Sequence, residues 1–186
     1  NEVIANIYLN RSIIQKEKGN VNAALKDVNH AIELHGNDAV AFCNRGVIYE
    51  KMKDTGQALR DYNKAIELNP DYVPAYFNRG SLYATTKVFD KAIMDYSKAL
   101  SLDPNSPLSY YNRGIAFKMV DRIDLTIEDL SKAITLDPKF AAAYAHRGLA
   151  YAESGEQEKA LADFTMGLEL DPNNKEIYMK RSILHA

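Results

Sequence analysis

The chain carries a single cysteine, Cys43, so no internal disulfide can staple it. That fits a reducing compartment, and a cytoplasmic location is the expectation. The four histidines, His30, His35, His146 and His185, have no second His, Cys or carboxylate at metal-site spacing, so no metal site is expected. Charge of either sign is nearly balanced at a formal net −2. There is then no global basic field to hold nucleic acid or an anionic membrane. The apolar runs are too short to span a bilayer. The opening residues Asn1-Glu2-Val3-Ile4 form no signal peptide and contain no initiator Met, so the chain reads as a fragment of something longer. No Gly-rich phosphate loop occurs, and no nucleophile has a base and an orienting group by motif. The expectation is a non-enzymatic protein without a cofactor.

What the sequence does have is a period. One short cassette returns six times, 34 residues apart: Asn10-Arg11-Ser12, Asn44-Arg45-Gly46, Asn78-Arg79-Gly80, Asn112-Arg113-Gly114, His146-Arg147-Gly148 and Lys180-Arg181-Ser182. No insertion breaks the spacing. A fixed period of this size implies a stack of equal supersecondary units, each needing its neighbours to bury its apolar face.

Residues 39–72 show what one unit is. Ala39 to Met52 places Phe42, Gly46 and Tyr49 at helical spacing. Lys53-Asp54-Thr55-Gly56 is polar and interrupts the pattern. Gln57 to Leu68 carries Ala58, Leu59, Tyr62, Ala65, Ile66 and Leu68, a second amphipathic helix. Pro70 follows and cannot continue the hydrogen-bond ladder. Small and large residues keep fixed slots. Gly46, Gly80, Gly114 and Gly148 let a first helix approach its partner closely. Val28, Tyr62, Tyr96, Leu130 and Phe164 fill a large slot on the second helices. Pro74 and Pro107 fall at the starts of first helices, where proline is tolerated.

These slots resemble the tetratricopeptide repeat, whose pattern of aromatic, Gly, Tyr, Ala, aromatic, Ala and Pro is met here by Phe42, Gly46, Tyr49, Ala58, Tyr62, Ala65 and Pro70. The resemblance covers repeats at 5–38, 39–72, 73–106, 107–140 and 141–174, with a partial repeat or cap at 175–186. Two departures stand out: Arg precedes the Gly in every copy, and the first copy has Ser12 and Gly36 where Gly and Pro are usual. The resemblance implies an all-α, right-handed superhelix. First helices would line its concave side and second helices its outside.

Two polar rows keep the period. Asp27, Asp61, Asp95, Asp129 and Asp163 sit 16 residues after each repeat's Arg and 18 before the next. Near-neutral net charge favours structural pairing of these residues over an arginine ladder for an acidic ligand. The second row is Asn10, Asn44, Asn78 and Asn112, continued by His146 and Lys180. Asn is a mediocre helix former, so four copies in mid-helix need a reason. A carboxamide offers donors and an acceptor, matching one peptide unit. First helices of a stack stand about 8–10 Å apart or more, and an extended chain advances about 3.3 Å per residue. Such a row can therefore touch a bound backbone every few residues. The row is similar to the concave asparagine ladder of O-linked N-acetylglucosamine transferase, which implies a peptide-binding groove. The other reading keeps the carboxamides for bonds within and between helices.

Residues sharing this face include Val40, Cys43, Val47, Ser81, Ile115 and Leu149, with Lys51, Lys118, Met119 and Glu153 at the rim. Phe77 and Tyr111 are the expected anchors, with packing between first helices as the alternative. The peptide-binding set is thus Asn10, Asn44, Asn78, Asn112, Phe77, Tyr111, Val47, Ile115 and His146. A carboxylate clamp of the co-chaperone type is not expected, because its lysine slots hold Leu9, Cys43, Phe77, Tyr111 and Ala145. Lys64, Lys98 and Lys132 form an outer basic row, but Glu33, Glu67 and Glu169 accompany it, as on a solvated face. The sequence therefore points to a scaffold holding an extended or helical peptide of a protein partner. Two alternatives stay open: the substrate-recruiting region of a larger enzyme such as a glycosyltransferase, and a self-assembly module. Ile177, Ile183 and Leu184 in the last helix suit burial in this chain or a homodimer contact.

Overall fold

The computed structural model describes residues 1–184, the side chains of residues 176, 180 and 182–184 excepted. His185 and the burial expected of Ile183 and Leu184 lie outside the described residues. Eleven helices and no strand occur among them. The first helices are α1 (Glu2–Glu17), α3 (Ala39–Lys51), α5 (Val73–Thr85), α7 (Pro107–Lys118), α9 (Ala141–Glu153) and α11 (Lys175–Leu184). The second helices are α2 (Val21–Leu34), α4 (Thr55–Leu68), α6 (Phe89–Leu102), α8 (Ile123–Leu136) and α10 (Gln157–Leu170).

The helix limits follow local chemistry. Asp38, Asp54 and Ser106 cap α3, α4 and α7 by accepting from backbone N–H groups in the first turn. Pro74 and Pro107 stand in the first two positions of α5 and α7, as expected. After α4, α6, α8 and α10 the chain turns extended at Asn69, Asp103, Asp137 and Asp171. Each of these side chains accepts from the backbone N–H two residues on, across the intervening proline. The turns between first and second helices use a left-handed residue at one repeating position: Gly19, Lys53, Lys87, Asp121 and Gly155.

The chain forms two compact units, Asn1–Thr86 and a second beginning at Lys87, so the boundary falls inside the span 73–106. In the first unit each of α1 to α4 packs on the next, and α3 also touches α1 and α5. Leu9, Ala24, Val28, Ala31, Ala41 and Ile48 make one core cluster; Cys43, Ala58, Tyr62, Ala65, Ala75 and Leu82 belong to another. In the second unit each of α6 to α10 packs on the next, and α7 touches α9. Its core is built on Leu130, Ala133, Ile134 and Ala143, and on Ala160, Phe164, Leu168 and Ile177.

The glycine slots do what their spacing predicts. A Cβ on Gly46 would lie 2.6 Å from Cε1 of Tyr62, and one on Gly148 2.7 Å from Cε1 of Phe164. In the first copy Ser12 replaces glycine and Val28 replaces the aromatic. The room so made lets the Ser12 hydroxyl donate to Ala24 O at 2.8 Å. Among the described residues no helix is long and apolar enough to cross a membrane.

Candidate peptide-binding face

The recurrent arginines build the frame on which the asparagines sit. Arg11, Arg45, Arg113 and Arg147 each grip the Asp 16 residues later, Asp27, Asp61, Asp129 and Asp163, through Nε and Nη2, at 2.6–2.8 Å. The pairing is therefore structural and within the helix pair, not across the longer interval of 18. A planar fork on a carboxylate fixes orientation as well as distance. The third donor reaches the preceding second helix. Arg45, Arg79, Arg113 and Arg147 donate from Nη1 to Asn29, Asn63, Ser97 and Ser131 at 2.6–3.0 Å. Three of the guanidiniums lie between two rings: Arg45 between Phe42 and Tyr49, Arg113 between Tyr110 and Phe117, Arg147 between Tyr144 and Tyr151, at 5.2–5.9 Å.

Each asparagine precedes its arginine and so points to another side of the first helix. In the first unit Asn10 is exposed, and Asn44 and Asn78 are half-buried. Asn10 has no hydrogen-bond partner among the described residues. Asn44 donates one N–H to Val40 O, one turn back, at 2.9 Å. Asn78 donates one N–H to Cys43 Sγ on the neighbouring first helix at 3.4 Å. Neither bond uses the carboxamide oxygen. Val47 and Phe77 lie half-buried beside them. Cys43 is only 3% exposed, so it belongs to the core and not to the groove face. Burial pushes its thiol up to about 11, which keeps it protonated and unreactive at neutral pH.

An open groove of about 660 Å³ runs beside Leu9, Asn10 and Val40. Three further asparagines edge it: Asn6, Asn37 and Asn69. The sequence analysis did not single these out. Asn37 recurs at every second repeat as Asn105 and Asn173, Asn69 shares its slot with Asp103, Asp137 and Asp171, and Asn6 has no counterpart in later repeats. Glu2, His35 and Asp38 add titratable groups to its wall.

In the second unit Asn112 is half-buried and has no hydrogen-bond partner among the described residues. Tyr111 packs on Phe140, ring centroids 4.8 Å apart, and meets His146 edge-on at 5.7 Å. Burial pushes the Tyr111 hydroxyl up from its ordinary value. Ile115 lies half-buried on the same helix. At the rim Lys118 and Glu153 form an ion pair at 2.8 Å across α7 and α9. On the outer side Lys64 pairs with Glu67 at 2.7 Å, as a solvated face does. No group of three or more metal-ligating side chains occurs among the described residues.

The comparisons with known proteins agree on the fold. Tetratricopeptide repeat patterns match residues 39–72, 141–174 and 61–93, and a TPR repeat pattern matches residues 89–120. Together these spans take in more than half of the chain. No curated protein matches the sequence. Among solved structures, MamA of Desulfovibrio magneticus RS-1 (residue 41 to the end) is similar at 22% identity, covering 92% of this chain and 97% of its own, with a TM-score of 0.82. YrrB, described as a TPR protein with an unusual peptide-binding site, is similar at 19% identity over 94% of this chain and 90% of its own, with a TM-score of 0.80. PilF of Pseudomonas aeruginosa reaches a TM-score of 0.86 at 14% identity, over 97% of this chain and 86% of its own.

Proposed function

We propose, since the chain belongs to the tetratricopeptide repeat family, that it is a non-enzymatic interaction module holding an extended peptide of a partner protein on the faces of its first helices. The observation that carries this reading is the set of carboxamides around one open groove: Asn6, Asn10, Asn37 and Asn69 edge it, and Asn44 follows on α3. A carboxamide supplies an acceptor and donors at one point, which is what a peptide unit asks of its surroundings. Asn10 and Asn112 keep their full hydrogen-bonding capacity for a ligand. Asn44 and Asn78 keep their oxygens while one N–H holds the side chain in place. Such a row binds backbone without reading sequence, and discrimination falls to its neighbours. Val47 and Phe77 serve in the first unit; Tyr111, Ile115 and His146 serve in the second. The fold is shared with YrrB, whose description includes a peptide-binding site, and this supports the same use.

The test is a peptide array probed with the wild type and with an Asn10→Ala, Asn44→Ala, Asn78→Ala variant. Loss of three contacts at about 1 kcal/mol each predicts at least tenfold weaker binding, with the helical fold retained by circular dichroism. Equal binding by both proteins would contradict the asparagine reading.

A further inference from the structure

The slots that edge the groove in the first unit recur four repeats later in the second unit, with different chemistry. Asn6, Leu9, Asn10 and Asp38 correspond to Ala142, Ala145, His146 and Asn174. There a cavity of about 80 Å³ opens between α9, α10 and the start of α11. Ala142, Ala145 and Leu149 of α9 line it, with Phe164 of α10 and Ile177 of α11 as buried walls. His146 and Asn174 are its polar members. The Asn174 carboxamide is committed elsewhere: its oxygen accepts from Ile177 N at 3.2 Å and its N–H donates to Asp171 at 3.4 Å.

The cavity arises from residue choice and not from where the sequence ends. One period earlier the same place belongs to Tyr111 and Phe140, whose ring centroids are 4.8 Å apart. A step of 34 residues turns these two rings into Ala145 and Asn174. In the first unit the corresponding pair is Cys43 and Tyr72, and Tyr72 packs on the core cluster that contains Cys43. In those two repeats the chain fills the space itself, with side chains of the very helices that bound it. Ile177 is seated as a wall by a further exchange. Gly167 stands where earlier second helices have Ala31, Ala65, Ala99 and Ala133. A Cβ on Gly167 would lie 3.1 Å from Cδ1 of Ile177. An apolar space of this kind costs stability while nothing fills it.

We propose that the cavity takes one branched aliphatic side chain, leucine or isoleucine, of the peptide bound along the first helices. The inference rests on the peptide-binding reading and adds to it the class of side chain that the partner presents. The walls are carbon, which suits an aliphatic group and no charge. A volume of about 80 Å³ is roughly half of the ~150 Å³ that admits a benzene ring, so an aromatic side chain is excluded. His146 lines the cavity and also holds the asparagine slot of α9, which sets a bound peptide unit beside the opening.

Isobutanol carries the same branched end and probes the cavity without any peptide. Titrated into the isotope-labelled chain, it should move the amide resonances of Ala142, Ala145, Leu149 and Ile177 saturably. An Ala145→Leu protein, which fills the space from within, should lose these shifts and melt no lower than the wild type. A positional-scanning peptide library, one position at a time fixed as Ala, Leu, Ile or Phe, then reads the occupant. At one position Leu or Ile should bind the wild type at least tenfold more tightly than Ala. Ala145→Leu should abolish that preference, and Leu149→Ala, which widens the cavity, should move it towards Phe. Absence of isobutanol shifts in the wild type, the result if the chain's own side chains occupy the space, overturns the proposal. So does a preference that neither substitution alters. A library that binds without aliphatic preference overturns it and leaves the asparagine reading standing. Isobutanol binding with no peptide bound overturns both.

Discussion

At the residue scale the arginine fork organises the molecule. Asp27, Asp61, Asp129 and Asp163 each face a guanidinium whose planar donors they satisfy in pairs, and two aromatic faces hold three of these arginines flat. Removing the acid strands the cation where water reaches it poorly. Asp61→Ala, beside an Arg45 side chain only 20% exposed, should cost about 3 kcal/mol in urea unfolding. Asp27→Ala should cost several times less, since Arg11 stays hydrated. The pairing with Arg11 holds the Asp27 carboxyl below its usual range. Its contribution is therefore present above the unfolded value and is lost as pH falls through the lowered one. Glu50 has the opposite sign. Burial raises its carboxyl while the Tyr62 hydroxyl donates to it. The folded state then binds its proton more tightly than the unfolded state, so stability falls as pH rises through that window. Glu50→Gln keeps an acceptor for Tyr62 and removes the charge. The difference in stability between this variant and the wild type should grow from pH 4 to pH 7 in the variant's favour; a flat difference would contradict the assignment.

At the element scale the packing of helix on helix rests on matched small and large residues. Gly46→Ala drives a methyl into the Tyr62 ring, which is fully buried, and should cost about 1–3 kcal/mol. In a Tyr62→Val background the same alanine should cost almost nothing, as Ser12 opposite Val28 illustrates; an undiminished cost in this double-mutant cycle would refute the steric account. The turns offer the reverse effect. Lys53 adopts a φ of 62° at the position where other copies use Gly19 and Gly155. Lys53→Gly should therefore raise stability by about 1 kcal/mol, read as a higher melting temperature. This left-handed slot was open to reading in the sequence, since Gly19 and Gly155 differ by four periods. The lysines and aspartate between them hid it. The third arginine partner was hidden in the same way, because Asn29, Asn63, Ser97 and Ser131 share a bonding role and not a residue type. A period shows which positions are equivalent; it does not show what lies across from them.

At the scale of the whole molecule the helix pairs, the glycine contacts and the Arg–Asp forks were legible, because each recurs often enough to separate packing from accident. The candidate site was legible only in outline. The row Asn10, Asn44, Asn78 and Asn112 follows from spacing, but the bond from Asn78 to Cys43 depends on how two first helices face each other. The groove asparagines Asn6, Asn37 and Asn69 come from three different slots of the repeat, so no single row reveals that they meet at one groove. Cys43 shows the same limit from the other side: it shares the helical face of Asn44, yet the neighbouring helix covers it.

The claim that ligand contact lies on the first helices is most directly tested by amide hydrogen exchange, with and without a peptide selected on the array. Slower exchange is predicted in α1, α3 and the turn at 35–38, which bound the asparagine-edged groove. Protection confined to the second helices α2 and α4 would contradict it.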